Sequence, residues 1–149
     1  MNNLCTLSKA LEFSNKNNLE EWIHLFLNAE GNNVPFSDGL KLEKRYFVGP
    51  LKMPLNLFSR CCGPEKNMKY VVNELSFKNN VYNIVEMFKN NWDMPPLIIN
   101  YSKGKFELND GNHRYEALVQ NKTLEYYIII WITEKEDFED FIIKYNEFL

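Results

Sequence analysis

A first group of apolar residues recurs at the spacing of one face of an α-helix: Leu19, Trp22, Ile23 and Phe26. This pattern predicts a helix over Leu19–Ala29. Asn18 and Glu21 have the spacing of a capping box, and Gly31 is a suitable residue just past the C terminus of the helix. His24 falls on the polar side of this helix, where we expect a solvated side chain.

The segment that follows alternates between polar turns and short extended pieces. Asn32–Lys44 is polar and rich in turn residues, with a turn expected at Asp38-Gly39. Arg45–Val48 is expected to be extended, and Gly49-Pro50 predicts a break after it. Cys61-Cys62-Gly63-Pro64 has the composition of a tight loop.

A second amphipathic helix is predicted over Phe77–Phe88, with Ser76 as its N-cap. Its apolar face consists of Phe77, Val81, Ile84, Val85 and Phe88.

The second half of the chain has the pattern of strands alternating with a helix. Strands are predicted over Leu97–Asn100, Phe106–Leu108 and Leu124–Ile132, the last of them apolar on both faces and therefore buried. A helix over Asn112–Gln120 separates the second strand from the third. This order predicts a mixed α/β (α+β) fold in which a small mixed β-sheet is covered by helices.

A closing helix is expected after the last strand, where Thr133 and Glu136 have capping-box spacing. Its inner face consists of Phe138, Phe141, Ile142, Tyr145 and Leu149.

Composition is that of one globular domain: the chain has 149 residues, of which 45% are hydrophobic and 15% aromatic. A net charge of −3 argues against a protein that holds nucleic acid through its overall electrostatic field.

The sequence lacks the long apolar run of a membrane span, and Met1–Leu4 lacks the features of a signal peptide, so no membrane partner is expected. Three cysteines form no disulfide framework and, with two histidines, no zinc-ligand spacing. We therefore expect a cytoplasmic protein without a structural metal.

The stretch Asp110-Gly111-Asn112-His113-Arg114 lies between a predicted strand and a predicted helix. Gly111 permits a positive φ or a close backbone approach. The first amides of the helix lack intrahelical partners and carry the positive end of its dipole, which suits a phosphate. His113 and Arg114 add donors, and Asp110 is placed to accept a hydroxyl proton or to hold Mg²⁺ beside the phosphates.

A purely structural interpretation of the same residues stays open. Asp110 would then be an N-cap, Gly111 a turn residue, and Arg114 a partner of Asp110 or Glu116 that holds the turn. The role of Arg60 stays open in the same way: it is either a second phosphate contact or an ion-paired residue. For Cys61-Cys62 the packing interpretation is preferred to a redox pair, since adjacent cysteines bridge only with strained geometry.

The order Pro96-Leu97-Ile98-Ile99, Phe106-Glu107-Leu108, Asp110–Leu118 and then the Ile-rich strand resembles the core of the ParB/sulfiredoxin-like superfamily. The resemblance is specific over about Pro95–Ile132 and extends upstream to Met53–Arg60. It implies one ParB/sulfiredoxin-like domain over 1–149, with a core at 49–149 and an N-terminal helical extension at 1–48.

The resemblance also implies nucleotide chemistry. Relatives bind ATP or CTP through this turn, so Gly111, Asn112, His113 and Arg114, with Arg60, are the expected nucleotide-binding residues. Asp110 and His113 are the expected catalytic residues of a phosphotransferase or NTPase that acts on a small molecule or a protein side chain. The alternative is a non-catalytic nucleotide-sensing or protein-interaction adaptor of the chromosome-partitioning kind.

Two differences between this sequence and members of the superfamily restrict the functions that we expect. Sulfiredoxins carry a catalytic cysteine where this chain has Asn112, so repair of sulfinic acids is not expected. The helix-turn-helix domain that follows the core in chromosome-partitioning proteins has no counterpart in this sequence. Together with the acidic balance, this argues against direct DNA binding.

Overall fold

The computed structural model describes residues 3–149, so residues 1 and 2 of the predicted extension lie outside it. The fold is mixed α/β, as predicted. Its helices are Leu7–Asn15 (α1), Leu19–Leu27 (α2), Val34–Leu40 (α3), Glu74–Lys89 (α4), Asn112–Gln120 (α5) and Lys135–Lys144 (α6). Its strands are Tyr46–Pro54 (β1), Cys62–Gly63 (β2), Tyr70–Val71 (β3), Leu97–Ser102 (β4), Lys105–Asp110 (β5) and Glu125–Ile132 (β6).

The main sheet contains four strands in the order β1-β6-β4-β5. Strands β4 and β6 are parallel, whereas β1 is antiparallel to β6 and β5 is antiparallel to β4. The three strands predicted from the second half of the sequence therefore share one sheet. Strand β5 is an edge strand and leads directly into α5, which fixes the turn between them at the edge of the sheet.

Each face of the sheet is covered by a hydrophobic core. On one face Ile98 and Ile129 pack with residues of α1 and α2, among them Trp22 and Leu27. On the other face a larger core gathers residues of the sheet, α5 and α6: Leu97, Ile99, Leu118, Ile128, Ile130 and Phe141 among others. Because neighbouring residues of a strand face opposite sides, this double coverage explains why β6 is apolar on both faces from Tyr126 to Ile132.

The N-terminal extension is more helical than its pattern indicates. Helix α1, which the apolar spacing does not predict, is capped by Thr6 and buries Ala10. The segment expected to be a polar loop contains α3, capped by Asn33, and Asp38-Gly39 lies within that helix rather than in a turn. Among residues 3–149 no helix is long and apolar enough to cross a membrane.

The predicted position of His24 is wrong. Its Nδ1 lies 2.6 Å from Ser37 Oγ, which also accepts a hydrogen bond from Asn28 Nδ2. Its Nε2 is buried with no hydrogen-bond partner among the described residues. The cause is α3, which covers the side of α2 that the helical pattern assigns to solvent. The proposed capping box is also absent, since the Asn18 side chain makes no capping hydrogen bond.

The break predicted at Gly49-Pro50 is a bulge inside β1. The pairing of β1 with β6 shifts register between Val48 and Leu51, and the strand continues to Pro54. Gly49 has a φ of +117°, and a Cβ there would lie 2.6 Å from the carbonyl oxygen of Ile128. The glycine therefore permits close contact with β6 where the sequence suggests an end to the strand.

Three further details correct the sequence-based boundaries. The cap of α4 is Asn73, which accepts from the amide of Ser76, so this helix starts before the predicted Phe77. Thr133 does not cap α6, and its hydroxyl oxygen instead accepts from Arg45. Leu149 is exposed rather than part of the inner face of the closing helix.

Candidate functional site

The site turn, defined as Asp110–Arg114, joins the end of β5 to the start of α5. Gly111 is the N-cap of α5 and has a φ of +109°. A Cβ at this position would lie 2.7 Å from Leu97 Cδ2 and 2.8 Å from Arg114 Nη2. The expected positive φ is therefore confirmed, and the atoms nearest to the position of a Cβ belong to two side chains.

Three peptide N–H groups at the start of α5 have no hydrogen-bond partner in the part of the chain that the structure describes. Tyr115 is the first residue of α5 whose N–H donates a backbone hydrogen bond, and its acceptor is the carbonyl oxygen of Gly111 at 2.7 Å. The N–H groups of Asn112, His113 and Arg114 have no acceptor within residues 3–149. These donors stand at the positive end of the helix dipole, where an anion is stabilised.

Arg114 is buried in the turn rather than directed into solvent. It is only 7% exposed, and its Nη2 lies 2.8 Å from Asp110 Oδ2. Its Nη1 donates to the carbonyl oxygen of Pro95 at 3.3 Å, and the ring of Phe26 lies 5.2 Å from its guanidinium carbon. Burial raises the pKa of Asp110, an effect that the Arg114 guanidinium opposes. This is the pairing left open above, in which Arg114 holds the turn.

The Asn112 side chain is also engaged within the protein. It is 8% exposed, and its Oδ1 accepts from the amides of Cys61 at 2.9 Å and Cys62 at 3.2 Å. Its Nδ2 donates to the carbonyl oxygen of Leu108 at 3.1 Å. Only the backbone N–H of Asn112 is left for a ligand, and the side chain instead ties the segment around β2 to the site turn.

His113 presents a neutral ring to the site. The ring lies against Phe77, with 4.7 Å between ring centroids. Burial lowers the pKa of His113, and the nearby guanidinium groups of Arg114 and Arg60 lower it further. At neutral pH the imidazole therefore offers one donor and one acceptor rather than a positive charge.

Arg60 is ion-paired with two carboxylates. Its Nη2 lies 2.6 Å from Glu65 Oε2, and its Nε lies 3.1 Å from Glu116 Oε1. The hydrogen bond to Glu65 is the main reason why the pKa of Arg60 is raised. Arg60 lines a small cleft of about 270 Å³ beside α4 together with both glutamates, and not the two clefts at the site turn.

Two clefts meet at the site turn and share Asp110, Gly111 and His113. The first cleft, of about 390 Å³, lies between α2, α4 and the turn, and Arg114 and Trp92 also line it. The second cleft, of about 420 Å³, lies towards β2 and contains Cys61, Cys62 and Tyr70. The turn therefore has room for a ligand on either side.

The N-terminal extension contributes residues to both clefts, which its sequence does not indicate. Phe26, Glu30 and Gly31 line the first cleft, and Asn33 and Phe36 line the second. These residues reach the turn because α2 packs on the sheet face that contains Ile98 and Ile129. No local motif marks them, so only the packing of the extension on the core reveals them.

The adjacent cysteines have contacts that suit a packing role. Burial raises the pKa of both Cys61 and Cys62, so their thiols stay protonated near neutral pH. The Cys61 thiol donates to the carbonyl oxygen of Leu108 at 3.1 Å. Cys62 pairs with Tyr70 in the small β2–β3 sheet, so the predicted loop is in part a strand.

No protein-family model matches this sequence, and no curated relative matches it. Among solved structures the chain is similar to the crystal structure of sulfiredoxin from Arabidopsis thaliana. The TM-score is 0.44 and the sequence identity 20%, over 64% of this chain and 94% of the other. The similarity is one of chain arrangement only.

Proposed function

We propose that the protein binds ATP or CTP with the phosphates on the site turn. We further propose that it supports transfer of the terminal phosphoryl group to a small molecule or a protein side chain. The observation that carries this proposal is the set of three unpartnered N–H groups, from Asn112, His113 and Arg114, where two clefts meet. Phosphoryl transfer asks mainly for positioning and for stabilisation of charge, and backbone donors at a helix N terminus supply both.

The first cleft suits the nucleoside part of such a ligand. Ile84 and Trp92 give it apolar surface, on which a base is able to pack. Asn80 and Asn83 of α4 line the same cleft, and neither carboxamide has a hydrogen-bond partner among residues 3–149. Apolar walls with a few free polar groups are typical of small-ligand pockets.

Asp110 is the acidic group next to the bound phosphates in this proposal. Its Oδ2 is held by Arg114, whereas Oδ1 has no hydrogen-bond partner within the described range. A raised pKa suits a carboxylate that accepts the proton of an acceptor hydroxyl as the phosphoryl group moves onto that oxygen. The described residues contain no group of three or more potential metal ligands. Alternatively, Asp110 would hold a Mg²⁺ ion beside the phosphates, with water completing its shell.

A second candidate, a nucleotide-sensing adaptor without turnover, is favoured by the state of the arginines. Arg114 is neutralised by Asp110, and Arg60 by Glu65 and Glu116. Neither guanidinium is free to stabilise the charge that develops during phosphoryl transfer, whereas the backbone donors alone are sufficient for binding. The adaptor therefore shares the binding site of the enzyme and differs only in lacking turnover.

Isothermal titration with ATP, CTP and ADP, with and without Mg²⁺, tests nucleotide binding directly. Thermal unfolding in the presence of the same ligands checks it, because a ligand that binds only the folded state raises its stability. Release of ADP or CDP during incubation then separates the enzyme from the adaptor. Absence of binding at millimolar nucleotide would contradict both versions.

A further inference from the structure

The connection between α2 and α3 forms a wall of the first cleft, and Glu30 is its charged side chain. Gly31 fixes this wall against α2, because a Cβ at Gly31 would lie 2.8 Å from the ring of Phe26. Phe26 in turn lies over the guanidinium of Arg114. The wall is therefore built on the same side chains that hold the site turn.

Glu30 is the uncompensated charge in the first cleft. Asp110 and Arg114 form an ion pair, and among the described residues His113, which is neutral at neutral pH, is the only other basic side chain that lines the cleft. Glu30 forms no ion pair within residues 3–149. A second acidic group on a ligand would be repelled here, whereas a pair of O–H donors would be bound.

We propose that Glu30 accepts hydrogen bonds from the 2′- and 3′-hydroxyls of a bound ribonucleotide and so selects ribonucleotides over 2′-deoxyribonucleotides. This inference rests on the proposed function. A carboxylate is suited to this role because it accepts hydrogen bonds from both hydroxyls of a cis-diol and donates none. The residue comes from the extension, so the core and the extension together determine which nucleotide is bound.

Titrations of ATP, 2′-deoxy-ATP, CTP and 2′-deoxy-CTP against the wild-type protein and Glu30→Ala test this inference. We expect the wild type to bind the preferred ribonucleotide roughly tenfold more tightly than its deoxy form, the effect of one charge-assisted hydrogen bond. Glu30→Ala should weaken binding of the ribonucleotide through the loss of both contacts, and binding of the deoxynucleotide, which keeps its 3′-hydroxyl, by a smaller factor. The two affinities then become equal.

Glu21→Ala is the matched control, since it removes the same charge from an exposed position of α2 that lines neither cleft. It should keep the wild-type preference, and equal melting temperatures would show that both variants fold. Equal affinity of the wild type for ribo and deoxy forms, or an intact preference in Glu30→Ala, would overturn the role of Glu30 and leave nucleotide binding standing. Absence of binding by all four nucleotides would instead overturn the proposed function.

Discussion

Arg114 and Asp110 form an ion pair across the site turn, with Nη2 of the arginine 2.8 Å from Oδ2 of the aspartate. The two side chains are only 8% and 13% exposed, so the pair is shielded from water. It connects the last residue of β5 to the first turn of α5 and fixes the direction in which the free amides of that turn point. The pair is therefore a structural support for the site.

Replacement of Arg114 should destabilise the protein. Arg114→Ala leaves the buried carboxylate of Asp110 without a partner, a change that costs on the order of 3–5 kcal/mol in free energy of unfolding. Urea denaturation measures it.

Two comparisons make the Arg114 result specific. The double variant Asp110→Asn with Arg114→Met should lose less stability than the two single changes together, because no unpaired charge is left. Lys135→Ala removes a partner from the exposed pair Lys135–Glu139 and should cost at most about 1 kcal/mol. A small loss in Arg114→Ala, similar to that in Lys135→Ala, would show that the ion pair does not support the turn.

Asn112 should act through the segment that contains Cys61 and Cys62. In Asn112→Ala the amides of both cysteines lose their acceptor, and an unsatisfied buried donor costs about 1–3 kcal/mol. We expect lower stability in urea and faster reaction of the thiols with a thiol reagent, since this segment loosens. Asn79→Ala, at an exposed position of α4, serves as the control. Unchanged stability and thiol reactivity in Asn112→Ala would contradict the role of this side chain.

The half-buried His24 should make the protein less stable in mild acid. Burial lowers its pKa below the ordinary value of 6.5, and Lys41 lowers it further, while Glu20 and Asp38 act in the opposite direction. The unfolded chain therefore takes up the proton first. The contribution of His24 to stability is fully present above about pH 6.5. It is lost as the pH falls from there towards the pKa of His24 in the folded state.

Urea midpoints measured between pH 5 and pH 8 check the role of His24, with the wild type compared to His24→Gln. The urea midpoint of His24→Gln should depend less on pH than that of the wild type. The remaining histidine, His113, also has a lowered pKa and contributes in the same direction, so some dependence is retained. Identical pH profiles for wild type and variant would contradict the assignment.

The strand–turn–helix unit could be predicted from the sequence because its signals are local. Gly111 marks the position that needs a positive φ, and the apolar run of β6 marks a buried strand. The same unit carries the resemblance to the superfamily. Local signals left two roles open for Arg114, because a charged residue at a helix start is ordinarily exposed and only the tertiary structure shows its burial. The spacing of four residues from Asp110 was the available sign of the pair.

The extension could not be interpreted in the same way. Helix α3 is short, and its single buried apolar residue is Leu40, so no helical stripe marks it. Its packing against α2 buries Ser37 and leaves only 15% of the His24 side chain exposed, in contrast to the pattern of α2 taken alone. The contribution of Glu30 and Phe36 to the clefts follows from that packing.

The central claim is that the free amides at the start of α5 bind phosphate, and His113→Glu tests it most directly. An acidic residue in the first turn of a helix is stabilising by about 0.3–1 kcal/mol, so the added carboxylate does not by itself oppose the fold. It places a negative charge at the anion site. His113→Gln is the matched control, with a side chain of the same size and no charge.

Isothermal titration with the preferred nucleotide, together with melting temperatures, gives the decisive comparison between the two variants. We expect His113→Gln and His113→Glu to unfold at similar temperatures. We also expect the glutamate variant to bind the nucleotide at least about tenfold more weakly than the glutamine variant, a difference of about 1.4 kcal/mol. Equal nucleotide affinity in the two variants would show that the phosphates do not bind at this turn.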